Sequence, residues 1–149
     1  MTKRMVMAII ALVGLMIGVY LTLYKYGVIG ALVCSISSCE RVQTSRWSVF
    51  LGLPVATWGT GFYALVLGLA FAGVQTRFAE SRRLALALVL LTGWGVLFSS
   101  WLTYLEWRVI QAWCQWCLIS AALVMTLFVL ALFDWRELRG REENATTPA

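Results

Sequence analysis

The sequence contains no histidine. That removes the usual general base, and with it Ser/His/Asp triads, Cys/His pairs and any His-ligated haem. Charge is scarce too. Only 13% of the 149 residues are Asp, Glu, Lys or Arg, about half the share of a typical soluble domain. Hydrophobic residues make up 61% of the chain, and the mean hydropathy is +0.82. A water-soluble globule of this size could not cover so much apolar surface, and the same balance excludes a disordered chain. The net charge of +5 points to basic residues that orient a membrane protein rather than to a nucleic-acid partner. What remains for chemistry is four cysteines.

Charges punctuate the chain. Met5 to Tyr24 is uncharged and mostly apolar, and at about 1.5 Å per residue it matches a bilayer's hydrocarbon thickness of about 30 Å. It is read as a first helix rather than a cleaved signal. Further apolar runs predict membrane helices from Pro54 to Val74, Leu84 to Leu105 and Val109 to Phe133. The expected fold is an all-α membrane protein, a four-transmembrane-helix bundle. It would occupy residues 1–135 and leave 136–149 as a short cytoplasmic tail that frays. A long external segment, 25–53, joins helices one and two. Its stretch Arg41 to Leu53 reads as an amphipathic half-helix on the membrane surface. Eight basic residues (Lys3, Arg4, Arg77, Arg82, Arg83, Arg136, Arg139, Arg141) flank one side and four (Lys25, Arg41, Arg46, Arg108) the other. The positive-inside rule then puts both termini in the cytoplasm, and the cell membrane of a bacterium is the expected site. Gly14 and Gly18 form a GxxxG in helix one, a weak packing signal. Gly59, Gly61, Gly93 and Gly95 read as ordinary small residues, and most of the tryptophans as an interfacial belt.

This topology puts all four cysteines on the outer side, where disulfides persist. Cys34 and Cys39 lie in the first external segment, and Cys114 and Cys117 at the outer start of helix four. A cysteine in the first turn of a helix has its thiolate stabilised by backbone N–H groups and the helix dipole, and Cys114 fits that position. Cys117 lies one turn deeper on the same face, about 4.5 Å along the axis. One sulfur would face water and the other the apolar bundle, an arrangement suited to passing electrons from a thiol to a lipid-soluble oxidant. Two inert disulfides, or a four-cysteine zinc site, are the bland alternatives. A zinc site at the wet edge of a bilayer in an oxidising space is disfavoured, and no metal is expected.

The runs Cys34-Ser-Ile-Ser-Ser-Cys39-Glu-Arg-Val-Gln-Thr-Ser45-Arg-Trp47, Leu51-Gly-Leu-Pro-Val-Ala, Gly-Phe-Tyr63 and Trp-Cys114-Gln-Trp-Cys117-Leu-Ile-Ser-Ala resemble the vitamin K epoxide reductase family, in particular its bacterial homologues. The resemblance spans essentially the whole chain. It implies a quinone-dependent thiol oxidoreductase that supports disulfide formation. Cys34 would exchange with a reduced thioredoxin-like protein outside the membrane. Cys39 would attack Cys114, and Cys117 would deliver two electrons to a quinone, ubiquinone or menaquinone. By the same resemblance Ser45, Trp47, Phe50 and Phe62 would contact the quinone. Ser45 also reads as a helix cap. Three departures stand out. Four residues separate Cys34 from Cys39, fewer than in many relatives. Val55 and Ala121 stand where the animal enzymes carry an asparagine and a tyrosine, which favours a generic membrane quinone over vitamin K epoxide. Many bacterial relatives carry a fused thioredoxin-like domain, whereas this sequence stops after helix four, so the thiol partner is expected to be a separate protein.

A related enzyme class, the disulfide-bond formation protein B family, places Cys-x-x-Cys in the first external segment, the reverse of the order here. A membrane scaffold or transporter subunit with two structural disulfides is the non-enzymatic alternative. A transport path favours charges inside the spans, and the four runs contain none.

Overall fold

The computed structural model describes residues 2–28, 46, 49–75, 77, 81–111 and 115–146. Its helices are α1 (Thr2–Lys25), α2 (Val55–Val74), α3 (Arg82–Tyr104) and α4 (Gln115–Thr146). All four are long and apolar enough to cross a membrane, and the protein is an integral membrane protein built as a four-helix bundle. In hydrocarbon every backbone N–H and C=O must be satisfied internally, and an unbroken helix does this. Pro54 ends the preceding segment and stands at the N-cap of α2 with φ −58° and ψ 142°, a place where its missing N–H costs nothing. Ser81 caps α3 by accepting the Leu84 N–H at 3.3 Å.

The helices overrun the apolar stretches. α3 does not stop at Leu105 but continues as a π-helical turn, Leu105–Ile110. Residues from Asp134 onward, expected to fray, carry α4 on to Thr146. Glu137 pairs with Arg141 at 2.8 Å and Arg139 with Glu143 at 3.6 Å, both one helical turn apart, which supports a solvated helix end. Glu137 also meets Lys3, and Glu142 meets Arg82 at 2.9 Å. The beginnings of α1 and α3 and the end of α4 therefore lie together.

The half-helix expected over Arg41 to Leu53 is corrected at its C-terminal end. Val49–Phe50 (β1) pairs antiparallel with Leu53–Pro54 (β2), in a hairpin closed by Leu51 and Gly52. Both turn residues have positive φ, 52° and 82°, as a two-residue turn matching the twist of its strands requires. Glycine takes this readily; leucine is an unusual choice. Apart from Arg46, the remainder of that stretch, 41–48, lies outside the described residues.

Apolar packing alone gives little drive for helices to associate in lipid, so close approach matters. The structure gives the GxxxG of α1 that task. A Cβ on Gly14 would overlap the Tyr63 ring of α2, and one on Gly18 would come 2.7 Å from Thr60 Oγ1. Thr22 and Thr60 hydroxyls also meet across this seam at 3.3 Å. Gly95, read as an ordinary small residue, is another close-approach site: a Cβ there would sit 2.6 Å from the Phe62 ring. Gly59 and Gly61 have open space around them. The core runs along the bundle through Met7, Ala11, Tyr63, Val66, Ala70, Leu88, Val124, Leu127 and Ala131.

The sequence places every charge outside the spans, yet among the described residues three are buried: Arg4, Glu106 and Asp134. Arg4 Nε donates to Asp134 Oδ2 at 3.0 Å, and Nη1 donates to the Gly73 carbonyl at 2.9 Å. That carbonyl lies in the last turn of α2, where no intrahelical N–H is left to bond it and where a cation is favoured. One side chain thus ties α1, α2 and α4 together at the end holding both termini.

Gly14→Ala is expected to lower the thermal midpoint in detergent by several degrees, because overpacking costs about 1–3 kcal/mol. Gly68→Ala, where a Cβ meets nothing, is expected to leave the midpoint unchanged or raise it, since alanine is the better helix former. Equal midpoints for the two variants would contradict the close-approach reading.

Candidate functional site

At the end of the bundle opposite the termini the packing opens into a cavity of about 860 Å³. Its walls come from α1 (Ile17, Leu21), the hairpin (Phe50, Leu53), α2 (Val55, Phe62), α3 (Trp94, Phe98) and α4 (Cys117, Ala121). The lining is mostly apolar, and the volume lies in the range of small-molecule sites. Leu65 and Trp94, both on the wall, are 61% and 65% exposed, so the cavity opens on the outer surface of the bundle. Trp94 sits in the middle of α3 rather than at its end, so it is not one of the tryptophans of an interfacial belt.

The hairpin is fixed over this cavity by aromatic contacts. The Phe50 ring lies edge-on to Trp58 of α2 (6.3 Å between centroids) and to Phe98 and Trp101 of α3 (5.8 and 6.1 Å). Trp58 Nε1 donates to the Phe50 carbonyl at 2.9 Å. Edge-to-face aromatic pairs of this kind contribute about 0.5–1.5 kcal/mol beyond area burial. Phe50 therefore joins α2 and α3 across the open end.

Cys117 is the third residue of α4 and half-buried, with its side chain on the cavity wall. One turn further on, Ser120 Oγ and Tyr63 Oη lie 2.7 Å apart, and the Tyr63 hydroxyl donates to the Ser120 carbonyl at 2.9 Å. Tyr63 is itself held by the close approach of Gly14 and by Phe62, whose ring stands edge-on 5.2 Å away. Trp116 packs edge-on against Tyr20 of α1 at 5.5 Å. The first turns of α4, and with them Cys117, are fixed against α1 and α2.

Of the residues singled out in the sequence, Cys117, Phe50 and Phe62 share the wall of this one cavity. So do Val55 and Ala121, which leave apolar surface where the animal enzymes would have polar contacts. Cys34, Cys39, Ser45, Trp47 and Cys114 lie outside the described residues. The sequence reading gave no role to the wall's polar groups: Tyr63 and Ser120, which stand in the quoted runs, and Thr57 and Glu106. The Thr57 hydroxyl is buried and has no hydrogen-bond partner among the described residues. Glu106 is 3% exposed. Its signal was present, because Phe98, Leu102 and Glu106 follow one another at four-residue spacing on α3 and its continuation, but a carboxylate ending an apolar run reads as a boundary.

A half-buried cysteine at the start of a membrane helix, facing an apolar cavity, can exchange electrons with a lipid-soluble molecule while its neighbours exclude water. The model of the vitamin K epoxide reductase family matches residues 5–132, nearly the whole chain. This chemistry is thiol–disulfide oxidoreduction in a membrane, linked to quinones, and the chain belongs to the vitamin K epoxide reductase family.

Proposed function

We propose that the protein oxidises a reduced thioredoxin-like protein on the outer face of the membrane and passes the electrons to a quinone held in the cavity. Cys34 exchanges with the partner, and Cys39 then attacks Cys114. The resulting mixed disulfide releases Cys117 as a thiolate, as thiol–disulfide exchange requires. Cys34 then attacks Cys39, which re-forms the Cys34–Cys39 disulfide and frees Cys114. The reduced Cys114–Cys117 pair gives two electrons to the quinone, which takes up two protons and leaves as a quinol, and the Cys114–Cys117 disulfide re-forms. Phe50 and Phe62 flank the ring, with Ser45 and Trp47 from the preceding segment. The single observation that carries this reading is Cys117 on the wall of an apolar cavity of about 860 Å³.

The apolar Val55 and Ala121 support a generic ubiquinone or menaquinone, bound chiefly by shape and ring contact. The excess of Lys and Arg beside the termini supports a cytoplasmic location for both ends and an outer location for the four cysteines, in the bacterial cell membrane. That sidedness suits a role in disulfide formation, since the outer space keeps disulfides oxidised.

The purified chain in lipid nanodiscs, given a small dithiol and a short-chain quinone, is expected to consume the quinone absorbance in a dithiol-dependent manner. No consumption with either a benzoquinone or a naphthoquinone would overturn the proposal. Cys117→Ala is expected to abolish turnover and to accumulate a Cys39–Cys114 mixed disulfide, detected by non-reducing peptide mapping. A map holding only Cys34–Cys39, with Cys114 as a thiol, would contradict the relay.

A further inference from the structure

The chain has seven acidic residues in all, and one of them, Glu106, is buried on the wall of the cavity that also holds Cys117. An ionisable side chain buried within a membrane-spanning helix marks a functional site. The row of residues leading to it along α3, Phe98 and Leu102, is apolar, while Ser99 and Thr103 add hydroxyls to the same wall. Glu106 is the carboxyl group among the described residues of the wall; the other polar side chains there besides Trp are hydroxyls (Thr57, Tyr63, Ser99, Thr103, Ser120) and Cys117.

The backbone is shaped around this residue. In a regular α-helix a row of residues four apart drifts about 40° around the axis at each step. Phe98, Leu102, Glu106 and Ile110 form such a row, and all four line the cavity. The wider π-helical turn Leu105–Ile110 takes up the drift at its end. Turns of this kind are rare and frequent at functional sites. The turn closes with the Gln111 N–H donating to the Glu106 carbonyl, and Gln111 adopts φ 55°, a left-handed conformation unusual for glutamine.

We propose that Glu106 carries the proton between sulfur and quinone oxygen. This rests on the quinone reading above and extends it. The overall reaction converts two thiols and a quinone into a disulfide and a quinol. Two S–H bonds break, one S–S bond and two O–H bonds form, and two electrons and two protons pass from sulfur to oxygen. One of the two protons that the thiols give up goes to the Glu106 carboxylate, while Cys117 stays the thiolate that reduces the quinone; the other proton reaches the second quinone oxygen from solvent. As a carboxylic acid Glu106 then gives its proton to the first quinone oxygen and returns to its starting state. Histidine is the side chain most often used for such transfers, and this chain has none.

Glu106→Gln keeps the shape and removes the transferable proton. In nanodiscs it is expected to be reduced by a small dithiol at the native rate and to bind a short-chain quinone, followed by tryptophan quenching, as the native chain does. Quinone turnover is expected to fall about a hundredfold, the lower end of what a positioned acid–base group supplies. Glu106→Asp, which keeps the carboxyl group, is expected to recover a large part of that loss. The proposal is overturned if Glu106→Gln turns over within about threefold of the native chain. It is equally overturned if the variant loses quinone binding in step with turnover, or if Glu106→Asp is as impaired as Glu106→Gln. A native chain that binds and reduces no quinone in the same assay would instead remove the functional reading on which the proposal stands.

Discussion

The contact between Gly14 and the Tyr63 ring sets the geometry on which the rest of the molecule depends. Apolar side chains gain little by leaving lipid for one another, so helix association in a membrane depends on backbones that come close and polar groups that meet. The missing side chain at Gly14 lets α1 lie against Tyr63, and the Tyr63 hydroxyl reaches across to Ser120 on α4. Three helices are joined through one aromatic residue. Ser120 lies one turn beyond Cys117, so the same contact fixes where the sulfur stands relative to the cavity. A change at Gly14 is therefore felt on the far side of the bundle, at a residue it does not touch.

The two ends of the bundle are built for different tasks. At the termini, Arg4 bonds both Asp134 and the exposed carbonyl of α2 at Gly73, and exposed ion pairs surround it. The exposed pairs contribute little each, about 0–1 kcal/mol. The buried pair is different, because removing either partner would strand a charge among apolar groups. At the other end the helices splay around the cavity, and aromatic rings from the hairpin, α2 and α3 bridge the gap instead. A closed end that holds the fold and an open end beside Cys117 suit the proposed passage of a lipid-soluble substrate.

Much of this was legible in the sequence, for reasons that can be named. The spans follow from apolar runs long enough to cross a bilayer, and Pro54 marks the start of α2 because it cannot bond within a helix. Cys117 facing an apolar interior followed from its place one turn into α4. The hairpin was not legible: Val49, Phe50, Leu51 and Leu53 suit a surface half-helix as well as two short strands, and Leu51 is an uncommon residue for its turn. The extent of α4 was missed because a charged, polar stretch was taken as solvated coil, whereas Glu and Arg one turn apart sustain a helix in water. Glu106 was missed for a similar reason. A charge after an apolar run marks the membrane edge when the helix stops there, and here the chain continues through a π-helical turn and brings the carboxyl group inward. Ser120 and Thr57 carry no sequence signal of their own; only the assembled wall gives them meaning.

The central claim is that a quinone occupies the cavity beside Cys117. The most direct measurement is photolabelling of the chain in nanodiscs with a photoreactive short-chain quinone, with the labelled residues mapped by peptide mass spectrometry. Labels are expected on the wall, around Phe50, Phe62 and the first turns of α4, and an excess of unmodified quinone should compete them away. Labels spread over the lipid-facing residues Ile9, Met16 and Val129 without such competition would contradict the account.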